Sequence, residues 1–400
     1  MNHPAEILAP SRAALDMIDR LIAIPTVSCD SNLGLIESVR DHLAGLGVKS
    51  RLTYDAKRRK ANLFATLADD PERVKAGGII LSGHTDTVPV DGQEWTSDPF
   101  VARHVDGRIV GRGSADMKGF IAVALAMAPQ LLAAQDHAPI HLAFSYDEEV
   151  GCIGVRGLIA DLAERGIQPA GCIIGEPTDM QAIVAHKGKR DIRCCVRGRE
   201  AHSALTPEGV NAIEFAARLV VFIRELADRC ARSESDPRFG VPYSTLQTGT
   251  MRGGIATNVV ARDAEFVFEM RNLPGTEQEA LLAEIEGHAR EVLVPAMQAV
   301  AAGTGVSFEL IAELPAFGIA PDAPIVRWAQ ELARTAHRGA GAVGFGTEAS
   351  LFARAGIPTV LLGPGSIAQA HKPDEFITYD QVAACEAFLS RMIAAPLPEL

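Results

Sequence analysis

The chain contains no C-x-x-C pair, and its seven cysteines (Cys29, Cys152, Cys172, Cys194, Cys195, Cys230 and Cys385) are scattered and odd in number. Those two absences exclude the usual thiolate zinc spacing and argue against a disulfide framework, so reduced thiols packing as small apolar groups are expected. A basic excess is also missing. With a formal charge of −12, the chain lacks the positive surface that nucleic acid or an anionic membrane requires, and neither is expected as a partner. Long apolar runs are absent too: Phe120 to Ala128 stops at Pro129, far short of the roughly 20 residues that cross a bilayer. Met1 to Pro10 shows no basic stretch followed by an apolar one, so no secretory signal is read there and a cytoplasmic protein is expected. There is no internal repeat and no low-complexity tract.

What is present is enough for two hydrophobic cores, since 400 residues exceed what one core usually serves. The stretch Gly77-Gly-Ile-Ile-Leu-Ser-Gly-His-Thr-Asp-Thr-Val88 organises the rest. Its β-branched run bounded by glycines reads as a buried strand of a parallel sheet, and alternation along that strand puts His84 and Asp86 on one face at its carboxyl end. Helices are expected over 11–22 and 35–46, strands over 50–54 and 62–67, and a loop from Pro89 to Asp106. An alanine-rich helix should follow Gly111-Arg-Gly-Ser-Ala-Asp-Met-Lys-Gly119. A phosphate loop fits that segment poorly, because Asp116 would place a negative charge where the phosphate belongs. The alternating strand 140–145 ends in Asp147-Glu-Glu149, and the strand 172–174 ends in Gly175-Glu176. An exposed acidic turn is the plain reading of each alone, while repetition at successive strand ends suits a cation.

From about Gly188 the order becomes β-α-β-β-α-β, a split β-α-β sandwich that looks inserted. After Pro315 the chain returns to α/β character, and Pro373 leaves His371 in a loop at the same sheet edge. The expected architecture is therefore an α/β catalytic domain, 1–187 with 316–400, having a mixed, mostly parallel sheet flanked by helices, and an inserted ferredoxin-like βαββαβ domain, 188–315. His84, Asp116, Glu149, Glu176 and His371 suffice for two divalent ions if one carboxylate bridges. With His84 and Glu176 on one ion, Glu149 and His371 on the other and Asp116 shared, each ion keeps an open position. Two such ions and three carboxylates leave a net positive charge for an oxyanion. Mixed nitrogen and oxygen ligands without sulfur suit Zn²⁺, with Co²⁺ able to replace it. Glu148, beside a ligand, is then placed to act as general base.

These stretches, together with Ala201-His-Ser203 and Gly363-Pro-Gly-Ser366 followed by Ala370-His371, resemble the M20 di-zinc peptidase and deacylase family over nearly the whole chain. The resemblance implies the same five metal ligands, Asp86 orienting His84, Glu148 as base, and a cis peptide after Asp116. It also implies that His202 stabilises the oxyanion, often from a neighbouring subunit, that Asn258 and Arg271 bind a substrate carboxylate, and that the protein is a homodimer through the inserted domain. Gly344-Phe-Gly-Thr-Glu-Ala349 and the segment ending at Glu375 resemble the branch that hydrolyses N2-acetyl-L-ornithine to L-ornithine and acetate for arginine synthesis. Gly346, Thr347 and Glu348 would then lie on the substrate side, with Glu348 either a partner for a substrate ammonium or a helix-start carboxylate. Other N-acyl amino acids, succinyl-diaminopimelate and dipeptides are the alternative small-molecule substrates.

Overall fold

A computed structural model describes residues 9–68, 75–134, 139–233 and 235–396. The chain divides into two compact units, 1–184 with 319–341 and 347–400, and 185–318 with 342–346. No helix among the described residues is long and apolar enough to cross a membrane.

The first unit is built on a mixed sheet. Its strands lie in the order Ser50–Tyr54, Ala61–Leu67, Ile140–Ser145, Ile79–His84, Gly171–Ile174, Thr359–Leu361 and then Ile183–His186, the strand in which the chain passes into the second unit. The four strands from Ile140–Ser145 to Thr359–Leu361 run parallel, and the outer pairings are antiparallel. All positions of the three central strands are buried. The alternation read in 140–145 therefore does not mark a solvent face. Its polar residue His141 is enclosed between Thr66 Oγ1 (3.0 Å) and the Gly77 carbonyl (3.2 Å), and burial pushes its pKa down to about 4. Parallel pairing aligns the carboxyl ends, with His84 in register with Ser145 and Ser82 with Ile174. The loops that follow emerge at one edge, where sheets of this kind hold their ligands.

The helix Lys118–Ala133 packs into this core and continues through Pro129, where the apolar run in the sequence stops. Proline lacks the N–H that would serve the Leu125 carbonyl. His42 Nε2 donates to that carbonyl instead, at 3.2 Å. Before the helix, the end of the expected loop forms the first strand of a hairpin, Arg103–Val105 with Arg108–Val110, turning at Asp106-Gly107 and joined by Phe376–Thr378. That third strand comes from far along the chain, so local periodicity carries no trace of it.

The second unit is an antiparallel sheet in the order Thr245–Gly253, Asp263–Arg271, Lys189–Arg197, Gly305–Leu314. Its two inner strands alternate strictly between buried and half-exposed positions, so one face alone is covered. The cover is the helix Ala212–Ser233 and the helix Gln278–His288, which pack Leu219, Ile223 and Ile285 with Phe266, Phe268 and Cys194. Beyond His288 the helix loosens into a π turn, 289–293, before Val294–Gln298.

Candidate metal centre

His84 ends its strand with 1% of its surface exposed. Its Nδ1 donates to the backbone carbonyl of Asp86 at 2.9 Å, while the Asp86 carboxylate stands 3.6 Å away. Asp86 thus orients the ring through its main chain more closely than through its carboxylate. This leaves Nε2 facing Asp116 Oδ1 at 3.0 Å and Glu176 Oε1 at 4.0 Å. The other oxygen of Asp116 lies 3.4 Å from His371 Nε2, and that nitrogen is 3.0 Å from Glu149 Oε2. One carboxylate therefore addresses two histidines that come from a strand end and a distant loop. Ligand atoms of His84, Asp116 and Glu149 all fall within 4.8 Å of one another.

The electrostatics of this cluster test whether cations fit. Burial opposes charge on Asp116, but its hydrogen bonds with His371 and His84 outweigh it and hold the carboxyl below the ordinary range. The same bonds to Asp116 and Glu149 push His371 up to about 10. Burial, reinforced by the charge of Asp116, pushes Glu176 up to about 8. Glu149 is raised by burial and Asp116, and Glu148 is raised well above the carboxylate range by burial, against the attraction of His84 and with repulsion from Glu176 and Glu149. Protons are compensating for a deficit of positive charge. Oxygen and imidazole donors converging without sulfur, in a cluster short of positive charge, fit divalent metal ions.

The supporting residues explain how loops hold this geometry. The Asp86 carboxylate accepts from Ser28 Oγ (2.7 Å) and from the amides of Glu148 (3.1 Å) and Glu149 (3.3 Å). Asp147, at φ +56°, is paired with Lys60. On the other side, the buried Glu375 carboxylate accepts from the amides of Gly113, Ala115 and Asp116 at 2.9–3.0 Å and pairs with Arg112 at 2.8 Å. Sequence reasoning assigned no role to Ser28, Lys60, Arg112 or Glu375. The one available signal was that Glu375 directly precedes the apolar pair Phe376-Ile377. The Asp116–Met117 peptide is cis, and Gly175 is required because the Phe120 ring lies 2.1 Å from where its Cβ would stand.

Thr347 and Glu348 are both 1% exposed. Glu348 directly precedes the helix Ala349–Arg354 but makes no side-chain cap bond. It accepts from Ser145 Oγ, and burial pushes its pKa up to about 7. His202, Asn258, Arg271 and Gly346 belong to the second unit. There, exposed His202 accepts from the Ala204 amide through Nδ1 at 3.1 Å, the Asn258 carbonyl accepts from Ser203, and Arg271 forks onto Glu269 at 3.0 and 3.2 Å.

The profile described as Peptidase family M20/M25/M40 matches residues 80–395. An acetylornithine deacetylase from Proteus mirabilis (strain HI4320) is 34% identical over 387 residues, 95% of each chain. One from Pasteurella multocida (strain Pm70) is 33% identical over 387 residues, 95% of this chain and 97% of that one. Among solved structures, aminopeptidase PepT from Bacillus cereus aligns with a TM-score of 0.73 at 22% identity over 96% of this chain and 98% of its own. The YXEP protein of Bacillus subtilis, a dinuclear metal binding peptidase, aligns with a TM-score of 0.64 at 15% identity over 95% and 96%.

Proposed function

Because this chain belongs to Peptidase family M20/M25/M40 and is a metallohydrolase of amide bonds, we propose that its reaction is hydrolysis of N2-acetyl-L-ornithine to L-ornithine and acetate, in the cytoplasm and for arginine synthesis. The observation that carries the chemistry is Asp116, whose two oxygens face His84 and His371 separately. In this reading His84 and Glu176 would hold one divalent ion and Glu149 and His371 the other, with Asp116 shared. The pair, zinc with cobalt able to replace it, would supply Lewis acidity toward the amide carbonyl and make water more acidic.

Glu148 takes a proton from the attacking water as its oxygen adds to the carbonyl carbon. The C–N bond then breaks, and the same carboxyl returns that proton to the departing amine. His202 would stabilise the tetrahedral oxyanion, and Asn258 and Arg271 would bind the substrate carboxylate, a task suited to a guanidinium fork. Glu348, with Thr347 and Gly346, would lie on the substrate side and recognise the ornithine ammonium. The substrate assignment is supported by the relatives of 32–34% identity that are named acetylornithine deacetylase.

The direct test is acetate release from N2-acetyl-L-ornithine by zinc- or cobalt-reconstituted protein, alongside acetylated neutral amino acids, succinyl-diaminopimelate and dipeptides. A kcat/KM of ~10⁴ M⁻¹s⁻¹ or more on acetylornithine, above the rest of the panel, is expected. Faster turnover of another panel member rejects the substrate and keeps the chemistry.

A further inference from the structure

The loop that carries His371 is tied to Asp116 by a continuous chain of hydrogen bonds that runs between their main-chain atoms through residues that are not metal ligands. From the Asp116 amide the chain passes to Glu375 Oε1 (3.0 Å), and from Glu375 Oε2 to Arg112 Nη1 (2.8 Å). Arg112 Nη2 donates to Gln93 Oε1 (2.5 Å), and Gln93 Nε2 donates to the backbone carbonyl of His371 (3.0 Å). Trp95 Nε1 donates to the same Gln93 oxygen at 3.0 Å, and its ring lies under the Arg112 guanidinium at 5.0 Å. Two donors on one atom settle which end of the carboxamide is oxygen. The amide nitrogen is thereby committed to His371.

The two histidines differ in how they are held. His84 is a strand residue, 1% exposed, in register with Ser145 of the neighbouring strand. His371 sits in a loop at φ +62°, a conformation that side chains rarely adopt, and its side chain is 55% exposed. Little packing fixes its imidazole relative to Asp116. The loop itself is held by Gln93 on the His371 carbonyl, Arg112 on the Lys372 carbonyl (3.3 Å), and Thr96 on the Asp374 carboxylate (amide 3.0 Å, hydroxyl 2.9 Å). Of these, the Gln93 bond alone acts on the ligand residue itself.

We propose that Gln93 is a positioning residue for the His371 side of the centre: through its bridge between Arg112 and the His371 carbonyl it sets the affinity for one of the two cations and leaves the His84 side unaffected. This rests on the two-ion reading given above. Groups that orient metal ligands typically change affinity by about 10- to 100-fold when removed, and a tether on a loop ligand should do so selectively.

The experiment is a Co²⁺ titration of metal-free wild type, Gln93→Met and Thr96→Ala, followed by cobalt absorption and by heat. Wild type should take up two equivalents. Gln93→Met, which keeps the side-chain volume but neither donates nor accepts, should bind one equivalent as wild type does and the other about 10- to 100-fold more weakly. Thr96→Ala, which removes a contact to the same loop without touching the His371 carbonyl, should leave both constants unchanged. Two unaltered constants in Gln93→Met, an equal loss in both, or the same selective loss in Thr96→Ala overturns the proposal. If Gln93→Met fails to fold by circular dichroism, Gln93→Glu makes the same prediction, because it keeps the acceptor for Arg112 and faces the His371 carbonyl with a second oxygen. A wild type that binds one equivalent rejects the two-ion reading and the proposal with it, and that failure is visible before any variant is compared.

Discussion

The carboxylate of Asp86 holds the main chain of Glu148: Oδ1 accepts the Glu148 amide at 3.1 Å, while the backbone carbonyl of the same aspartate accepts from His84 Nδ1 at 2.9 Å. A single residue thus sets both the ring of one ligand and the turn that carries the base. Asp86→Asn keeps one oxygen acceptor and replaces the other with an N–H donor facing Ser28 or an amide. Turnover should fall about 10- to 100-fold, with weaker Co²⁺ binding and little change in KM. Steady-state kinetics and a metal titration check this, and an unaltered kcat would remove Asp86 from the positioning of Glu148.

Glu148→Gln preserves shape and removes the ability to take a proton. The variant should load the same number of metal ions as wild type and lose about 10²- to 10⁴-fold in kcat. Near-normal rates in a metal-loaded variant exclude the base role.

Glu348 is enclosed and bonded to Ser145, so its partner for selectivity must be a cation that reaches it. Glu348→Gln should lower kcat/KM for acetylornithine at least about tenfold relative to acetylated neutral amino acids, the scale of a lost charged hydrogen bond. Equal losses on both substrates would reduce Glu348 to a packing and helix-start role.

Without metal, the cluster makes stability depend on pH in a definite direction. Glu176 rises to about 8, Glu348 to about 7 and His371 to about 10, so between pH 6.5 and 8 the folded chain binds more protons at these groups than the unfolded chain. Stability from these groups is full below their unfolded values and is lost as pH rises through the folded ones. Lys118, lowered to about 7 by burial, acts in the opposite sense above pH 7 and offsets part of the loss. The melting temperature of metal-free protein should therefore fall from pH 6.5 to 8, and saturating Zn²⁺ should raise it most at the upper end, where the carboxylates are ready to bind. A flat profile in the metal-free protein contradicts the charge deficit.

His42→Ala tests the helix Lys118–Ala133 rather than the chemistry. It leaves the Leu125 carbonyl, already deprived of its helical partner by Pro129, without a protein donor from His42. A loss of about 1–3 kcal/mol in urea unfolding is expected, with kcat unchanged. A stability within experimental error of wild type would show that water replaces the imidazole at no cost.

Much of the first unit could be read locally. Ile79-Ile-Leu81 and Cys172-Ile-Ile174 are buried strands because apolar runs bounded by glycine have nowhere else to go, and polar residues at their ends mark where the chain leaves the sheet. The β-α-β-β-α-β order of the second unit follows from period alone, as the strict alternation of Lys189–Arg197 shows. Where local reading failed, a distant segment intervened. His42 lets the helix pass Pro129, Phe376–Thr378 turns an irregular loop into a sheet, and Thr66 with the Gly77 carbonyl buries His141.

The sequence by itself determined which side chains reach the edge of the sheet: His84, Glu149 and Glu176 follow strands whose apolar pattern ends just before them, and Pro373 keeps His371 out of regular structure. Only the tertiary structure decided what those side chains do to one another. That Asp116 turns its two oxygens to different histidines depends on Glu375, 259 residues further on, accepting its amide, and that the His371 carbonyl meets Gln93 depends on a contact across 278 residues. Such contacts leave no period in the chain, because hydrogen bonds that close long loops are set by where the sheet and helices bring the backbone, not by what stands beside each residue.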